Sequence, residues 1–561
     1  MQRRCLIPIF ALALCLATGS AFAKVQVSGR TDTSFRAAME PVHAYIMDED
    51  YPEAYRELSE LKNLYPGEPE LFYLLAYLRA RMYPDNQYSH VDTRPPFDQA
   101  YVDCLVRVNE LDPDFDPSYL DELDDGFYFF NAATKLSSYL GVRAYYEIVD
   151  GDFEAARSIF RQARSGGGFP LWMLEYNANI LNSCEENAIV FTNGDADTIP
   201  GWYLQCVGDS LIAKFIHPAR DVWRSTSEQS ALQKVRRRRE ELENGIRTDV
   251  AILNLSLLNT EWYLEHVRDD LGVRFSSEID QLWDYEVPEL LEVSAGPAHP
   301  KLSFSVSYEE TPAWRPGESD YRVSDKAVIQ IIRDNFGRRP IYFAVTCESM
   351  IGFEDFCRAE GMVNRLTHNQ AETEEQVDID RLIQNLDQVY QYRTLKDPKT
   401  LRIENTRRLM MNYGAGYAKA ASYYAIMKDF DRAWAYASKA QDFIDEELRM
   451  IDFYVRYYAG QAKWSKLDDY IERCVYPHQD GPGIYLRYVM QYLDAYDPII
   501  ALRYYERALR HYPDEYLVAQ FAVYFAEDYG MEAPVANILE SLREVLDYDV
   551  EEFILYLRGW E

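Results

Sequence analysis

Residues 186–205 read ENAIVFTNGDADTIPGWYLQ, and the order of elements within them decides the fold. Ala188 to Thr192 is a short apolar run rich in branched and aromatic residues, the pattern of a buried strand. Asn193-Gly194-Asp195-Ala196-Asp197-Thr198 is a turn-forming loop with two carboxylates two residues apart. Pro200 stands where helices begin, and Trp202, Tyr203 and Gln205 continue a helix from it. Strand, polar loop and helix make half of a parallel βαβ unit, with the polar residues at the strand's carboxyl end. Open α/β sheets keep their ligands at that edge.

Working outward, two further strands follow the same logic. Val250 to Ser256 is a buried run ending in Asn254 and Ser256, after which Asn259, Thr260, Trp262 and Tyr263 open a helix. Ser324-Asp325 caps a helix reaching Asn335, and Arg339 to Val345 is the third strand. Strand, helix, strand, helix, strand predicts a small three-layer parallel-sheet module over residues 169–370. Gly296 to Gly317 holds several Pro and Gly residues and reads as a long irregular loop. Four arginines, Arg236 to Arg239, precede Glu240, Glu241 and Glu243; ion pairing on a solvated helix face is the plainer reading beside an anion site.

Both flanks are helical and repetitive. In residues 24–168, Tyr51 to Tyr65-Pro66, Phe97 to Asp112-Pro113 and Gly151 to Phe160 repeat one logic, a small alanine, large apolar residues after it, and a terminal Pro or Asp-Pro. This is the pattern of the second helix of tetratricopeptide repeats. Residues 371–404 form a polar connector. In 405–561 the pattern returns: Ala415–Met427 with Ala433–Ala440, Ile484–Tyr496 with Ile499–Tyr512, and Leu517–Tyr529 with Ala533–Leu546. The fold class expected is therefore mainly α, with tetratricopeptide-like repeats flanking a central α/β domain. Solenoids of this kind offer a concave surface to a protein partner.

Composition narrows the partners. The formal charge is −34; without Arg3 and Arg4 of a leader, 56 basic side chains face 92 acidic ones, giving −36. Such a surface repels phosphate backbones and anionic lipid, so no nucleic acid or membrane-surface partner is expected. Residues 1–23 read as a signal peptide: Arg3-Arg4, an apolar core from Leu6 to Ala17, and Ala21-Phe22-Ala23 for cleavage. Leu14 before Cys15 is too large for a lipoprotein site. No later apolar run reaches the roughly 18 residues of a span, so a periplasmic or secreted protein is expected. Cys104, Cys184, Cys206, Cys347, Cys357 and Cys474 have no zinc spacing; Cys347 and Cys357 could close a short loop, or all could be buried thiols.

FTNGDADTIPGWYLQ (191–205), RTDVAILNLSLLNTEWYLEHVRD (247–269), RVSDKAVIQIIRDNFGRRPIYFA (322–344), EGMVNRL (360–366) and ENTRRLMMNYGAGYAKAA (404–421) resemble, in the same order, one family. It is the bacterial membrane proteins related to protein O-mannosyltransferases, whose animal relatives O-mannosylate receptor ectodomains. The resemblance covers about residues 170–440 and is to the family's extracytoplasmic carboxyl-terminal portion, an α/β module followed by tetratricopeptide-like repeats. Transfer in that family is attributed to an amino-terminal multispan module using a lipid-linked sugar. Helical repeats occupy that module's place here, so the resemblance implies an accessory module rather than a transferase. Ala196 and Gly201 depart from the family, which tends to a polar and a bulkier residue.

The candidate ligand-binding residues are Asn193, Asp195, Asp197, Thr198, Trp202, Asn254, Ser256, Asn259, Trp262 and Arg339. Asp195-Ala-Asp197 has the form of a D-x-D pair that could hold Mg²⁺, Mn²⁺ or Ca²⁺. The plainer reading is a turn at Asp195 and a helix cap at Asp197 or Thr198. Trp202, Tyr203, Trp262 and Tyr263 could supply aromatic faces for a sugar, or could be core. Arg339 and Arg365 could bind an anion or pair with local acids. His217, His266, His368 and His478 lack triad context, and no G-x-S-x-G, P-loop, dinucleotide fingerprint or H-E-x-x-H is present. No cofactor, metal or catalytic residue is assigned. Three functions are carried in order: a non-catalytic interaction protein acting through its repeats, a module binding a glycan or lipid-linked sugar, and a glycan-active enzyme.

Overall fold

The computed structural model describes residues 33–83, 96–123, 130–212, 245–276, 278–297, 299–308, 321–371, 376–444, 447–493 and 497–559. The expected signal peptide, His217, the Arg236–Arg239 run and residues 298 and 309–317 of the expected loop lie outside them. Two compact units divide the chain at Asn412/Tyr413.

The first unit opens with three helical hairpins: α1 (Thr33–Met47) with α2 (Tyr51–Leu64), α3 (Pro69–Met82) with α4 (Gln99–Leu111), and α5 (Ala132–Val149) with α6 (Phe153–Ser165). The second helix of each begins the same way. Asp50, Asp98 and Asp152 stand at the N-cap, and each carboxylate accepts the backbone N–H three residues on, Glu53, Tyr101 and Ala155. An N-cap bond of this kind contributes about 1 kcal/mol and fixes where the helix starts. One helical turn later comes the small residue that lets the hairpin close: Ala54 and Ala156 are wholly buried.

After α7 (Leu171–Ser183) comes a five-stranded mixed sheet, β1 (Ile189–Thr192), β2 (Ala251–Asn254), β5 (Ile341–Ala344), β6 (Cys357–Ala359) and β7 (Val363–Leu366), in the order β2-β1-β5-β7-β6. β1, β2 and β5 are parallel, with Ile189 opposite both Ala251 and Ile341. This is the parallel core that the sequence predicts. β7 and β6 extend it antiparallel, Tyr342 facing Arg365 and Arg365 facing Arg358. All residues of β1, β2 and β5 are buried, as befits strands covered on both faces. The crossover from β1 to β2 uses α8 (Asp195–Cys206). The return from β2 to β5 passes α9 (Glu261–Asp269) and α10 (Val323–Asn335). The chain leads from β1 outward to β2 and then back across β1 to β5, which makes a switch point beside β1.

Two expectations are corrected here. α8 begins at Asp195 rather than at Pro200, because the Asp197 carboxylate accepts the Gly194 N–H and starts the helix earlier. Pro200 then lies inside the helix and leaves the Ala196 carbonyl without its amide. The Asn177 side-chain amide, from α7, donates to that carbonyl at 2.8 Å. Within the expected 296–317 loop, Ser303–Ser307 forms β4, paired antiparallel with β3 (Leu290–Ser294). S-F-S-V-S alternates with period two, and Phe304 and Val306 are its buried residues.

The 371–404 connector is folded, not open chain. It contains α11 (Ile379–Gln384), a π turn to Val389, and α12 (Pro398–Arg402). The α7 face receives it: buried Glu175 accepts the N–H groups of Arg393 (3.2 Å) and Thr394 (2.9 Å), and Asn179 exchanges two hydrogen bonds with the Gln391 backbone.

The second unit continues α13 (Glu404–Ile426) into α14 (Phe430–Ala440), α15 (Ile451–Gly460), α16 (Trp464–Tyr470), short helical and π turns over 481–493, α17 (Pro498–His511), α18 (Tyr516–Tyr529), α19 (Glu532–Leu542) and α20 (Glu551–Leu557). Asp429 caps α14 as Asp152 caps α6. Several tyrosines of this unit bury the ring and partner the hydroxyl: Tyr470 donates to the Glu447 carbonyl, Tyr485 to the Tyr504 carbonyl, and Tyr504 to Asp468. Among the described residues no helix is long and apolar enough to cross a membrane.

Candidate functional site

The carboxyl edge of β1, β2 and β5 brings together Asn193, Asp195, Asp197, Thr198 and Asn254, with Thr346 added from the end of β5. The two carboxylates differ in setting. Asp197 is buried and turned inward, accepting the N–H groups of Asn193 (3.0 Å) and Gly194 (2.8 Å) and the Thr346 hydroxyl. Burial pushes its carboxyl above the ordinary range, opposed by those same hydrogen bonds, which favour the ionised form. Asp195, at the first turn of α8, is half-exposed.

The hydroxyls and the amide of the edge close on one another. Thr192 and Thr198 share a 2.7 Å hydrogen bond, and Asn254 donates to Thr198 at 3.0 Å. Asn254 also accepts the Leu257 N–H, so it caps the turn after β2. Asn259 ties Ser256 to the start of α10, donating to the Ser256 carbonyl and accepting the Ser324 N–H. The side chains of Ser256 and Asn259 are exposed.

Trp202, Tyr203 and Tyr263 are core. Trp202 is 2 % exposed and stacks on Tyr145 with 3.7 Å between ring centroids. Tyr263 lies against the same pair and donates back to the Ile252 carbonyl. Trp262 is half-buried against Tyr146. Gly201, on the same helix, faces β2: a Cβ there would come within 2.8 Å of the terminal Cδ1 methyl of Ile252.

Arg339 lies at the opposite, amino-terminal end of the strands. Its guanidinium donates to the carbonyls of Asn187, Ala188, Leu271 and Gly272, a clamp on backbone rather than on a ligand at the other edge. Arg365 and Arg381 flank the buried Glu185, at 3.0 and 3.4 Å.

Sequence reasoning missed Lys135, on α5. Burial lowers its ammonium to about 8, while the Asp195 carboxylate acts in the opposite direction and the Arg81 charge adds to the lowering. The only signal was that Lys135 is the lone charged residue between Phe130 and Val142. A lysine depressed in the fold binds its proton less tightly there than in the unfolded chain. Its contribution to stability therefore rises with pH between about 8 and the ordinary lysine range, and is lost as pH falls through about 8. Urea unfolding at about pH 7 and about pH 9.5 checks this: wild type should gain stability relative to Lys135→Met at the higher pH. Equal changes in the two proteins would refute it.

Among the described residues no cluster of three or more His, Cys, Asp or Glu side chains could hold a metal ion. The six cysteines after residue 23 are free thiols; Cys347 donates to the Phe191 carbonyl, and burial pushes the Cys347 and Cys357 thiols well up.

No curated protein matches the chain significantly. The family model for TMEM260-associated domain 2 matches residues 173–210, the span from α7 through β1 and α8 to just beyond it.

Proposed function

We propose that this is an exported, non-catalytic interaction protein, in which the sheet module is a structural core and the helical repeats meet a protein partner. One observation supports this above the others. The polar side chains at the sheet edge (Asp197, Thr198, Asn254) bond to backbone and to one another, so few are left to turn toward a ligand. The Trp202 ring, which a sugar would need, is stacked inside the core. The resemblance of residues 170–440 to the O-mannosyltransferase-related family, together with the short TMEM260-associated match, supports a role accessory to envelope glycan or glycoprotein assembly.

The half-exposed Asp195 carboxylate, whose charge acts on the Lys135 ammonium, favours a second reading, a small polar ligand held at the rim of the edge. A thermal-shift screen with monosaccharides, polyprenyl-phosphate headgroup mimics and divalent cations separates the two. Ligands that bind only the folded state must raise its melting temperature. The interaction reading expects no rise from any of them. A rise abolished by Asp195→Ala or Lys135→Met would replace it with the ligand-site reading.

A further inference from the structure

The α18 helix (Tyr516–Tyr529) divides into two faces. Val518, Ala519, Ala522, Val523, Phe525 and Ala526 are buried. The opposite face carries Leu517, Phe521 and Tyr524, which are 51, 37 and 49 % exposed, at the i, i+4, i+7 spacing with which helices pack on one another. Single exposed apolar residues are ordinary; three in a row along one helix mark a contact surface. Gln520 donates to the Tyr524 hydroxyl along the same face.

Carboxylates bracket this stripe at both ends. Asp514 and Glu515 precede the helix, and Glu527 and Asp528 lie in its last turn. Glu515 and Glu527 are twelve positions apart, roughly 18 Å along a helix. The surroundings share that sign: residues 512–559 hold eleven Asp and Glu against Arg543 and Arg558, a formal −9. Both arginines already pair with Glu540, and Arg543 with Glu551 as well.

We propose that this face docks an amphipathic helix of a partner protein, with an apolar stripe to cover Leu517, Phe521 and Tyr524 and Lys or Arg at each end. This rests on the interaction reading above and names the partner's chemistry. Charge decides among occupants. A second copy would set −9 against −9, and anionic lipid would meet the same repulsion, whereas a basic-ended helix is attracted at both ends.

The test uses two synthetic peptides of about 18 residues with one apolar stripe, one ending in Lys/Arg and the other in Glu. Fluorescence anisotropy with the full chain is expected to show binding of the basic-ended peptide, weakened by salt. Phe521→Ala/Tyr524→Ala should weaken it by about 30-fold while leaving the melting temperature in place, since both residues are exposed. The acidic-ended peptide should bind at least about tenfold less tightly, with two bracketing charge pairs reversed.

Absence of binding, equal binding of both peptides, or an unchanged affinity in the double variant would overturn the proposal. A dimer dispersed by Phe521→Glu would give the face to a second copy, and Phe521-dependent binding to phosphatidylglycerol vesicles would give it to lipid. Either would overturn it too. None of these results touches the thermal-shift screen, on which the interaction reading itself stands or falls.

Discussion

Arg247→Met is expected to destabilise the first unit by about 3–5 kcal/mol, the cost of breaking a buried ion pair by removing one partner. Arg247 is wholly buried. Its guanidinium donates to the carbonyls of Leu181, Cys184 and Glu185 and holds both oxygens of Asp249 at 2.9 Å. Those carbonyls end α7 and lead into β1, so one side chain joins that helix end to the turn before β2. The turn itself is strained: Arg247 has φ +54°, and Gln205 secures it by donating to the Arg247 and Val250 carbonyls. Arg247→Lys should recover only part of the loss, because an ammonium cannot reproduce a planar fork with five donors. Urea unfolding followed by far-ultraviolet circular dichroism measures both variants. Losses under about 1 kcal/mol, the level of an exposed pair, would show that the arginine is replaceable.

The parallel strands and the helical hairpins were legible because they rest on local rules. Apolar runs such as Ala188–Thr192 have one comfortable state when buried on both faces, and an Asp cap followed by a small alanine defines a hairpin within a dozen residues. Contacts distant in sequence were not legible. Asn177 serves the carbonyl that Pro200 leaves open, and Glu175 and Asn179 hold a connector more than 200 positions away. Nothing in the spacing of α7 announces those partners; its many buried polar residues make sense only once the connector is in place. The same holds for the site. Sequence put Asp195, Asp197, Thr198 and Asn254 at one edge, as β1 and β2 pair. It could not say which way each side chain turns. Arg339 precedes its strand whereas the other four lie at the ends of theirs, so in a parallel sheet it falls at the opposite edge. Trp202 and Trp262 have the same composition whether they face a sugar or a neighbouring ring. Only α5, packed from elsewhere in the chain, decides for the ring.

The D-x-D pair should behave as two unlike residues. Asp197→Ala leaves the part-buried Asn193 and Gly194 N–H groups and the Thr346 hydroxyl without their acceptor. Leaving a donor unsatisfied costs about 1–3 kcal/mol, and four donors share this acceptor, the Thr198 hydroxyl at 3.5 Å being the fourth, so even with partial exposure a loss of about 2–4 kcal/mol is expected. Asp195→Ala removes a half-exposed carboxylate at a helix start and should cost about 1 kcal/mol or less. A pair acting together on a cation would be damaged comparably by either change when the cation is present, and by neither when it is absent. Unfolding with and without millimolar Mg²⁺ or Ca²⁺ therefore tests the assignment, and a cation-dependent, equal loss in both variants would overturn it. The pH profile adds a second readout. Because burial raises the Asp197 carboxyl, the folded chain holds that proton at a pH where the unfolded chain has released it. Stability from this group consequently increases as pH falls from neutral through the raised value, and declines again as pH rises through it. Wild type should thus gain on Asp197→Ala upon mild acidification, opposite in sign to a carboxylate held ionised by a salt bridge. A gap that narrows on acidification would mean that the hydrogen bonds outweigh burial, leaving Asp197 a cap but one held in its charged form.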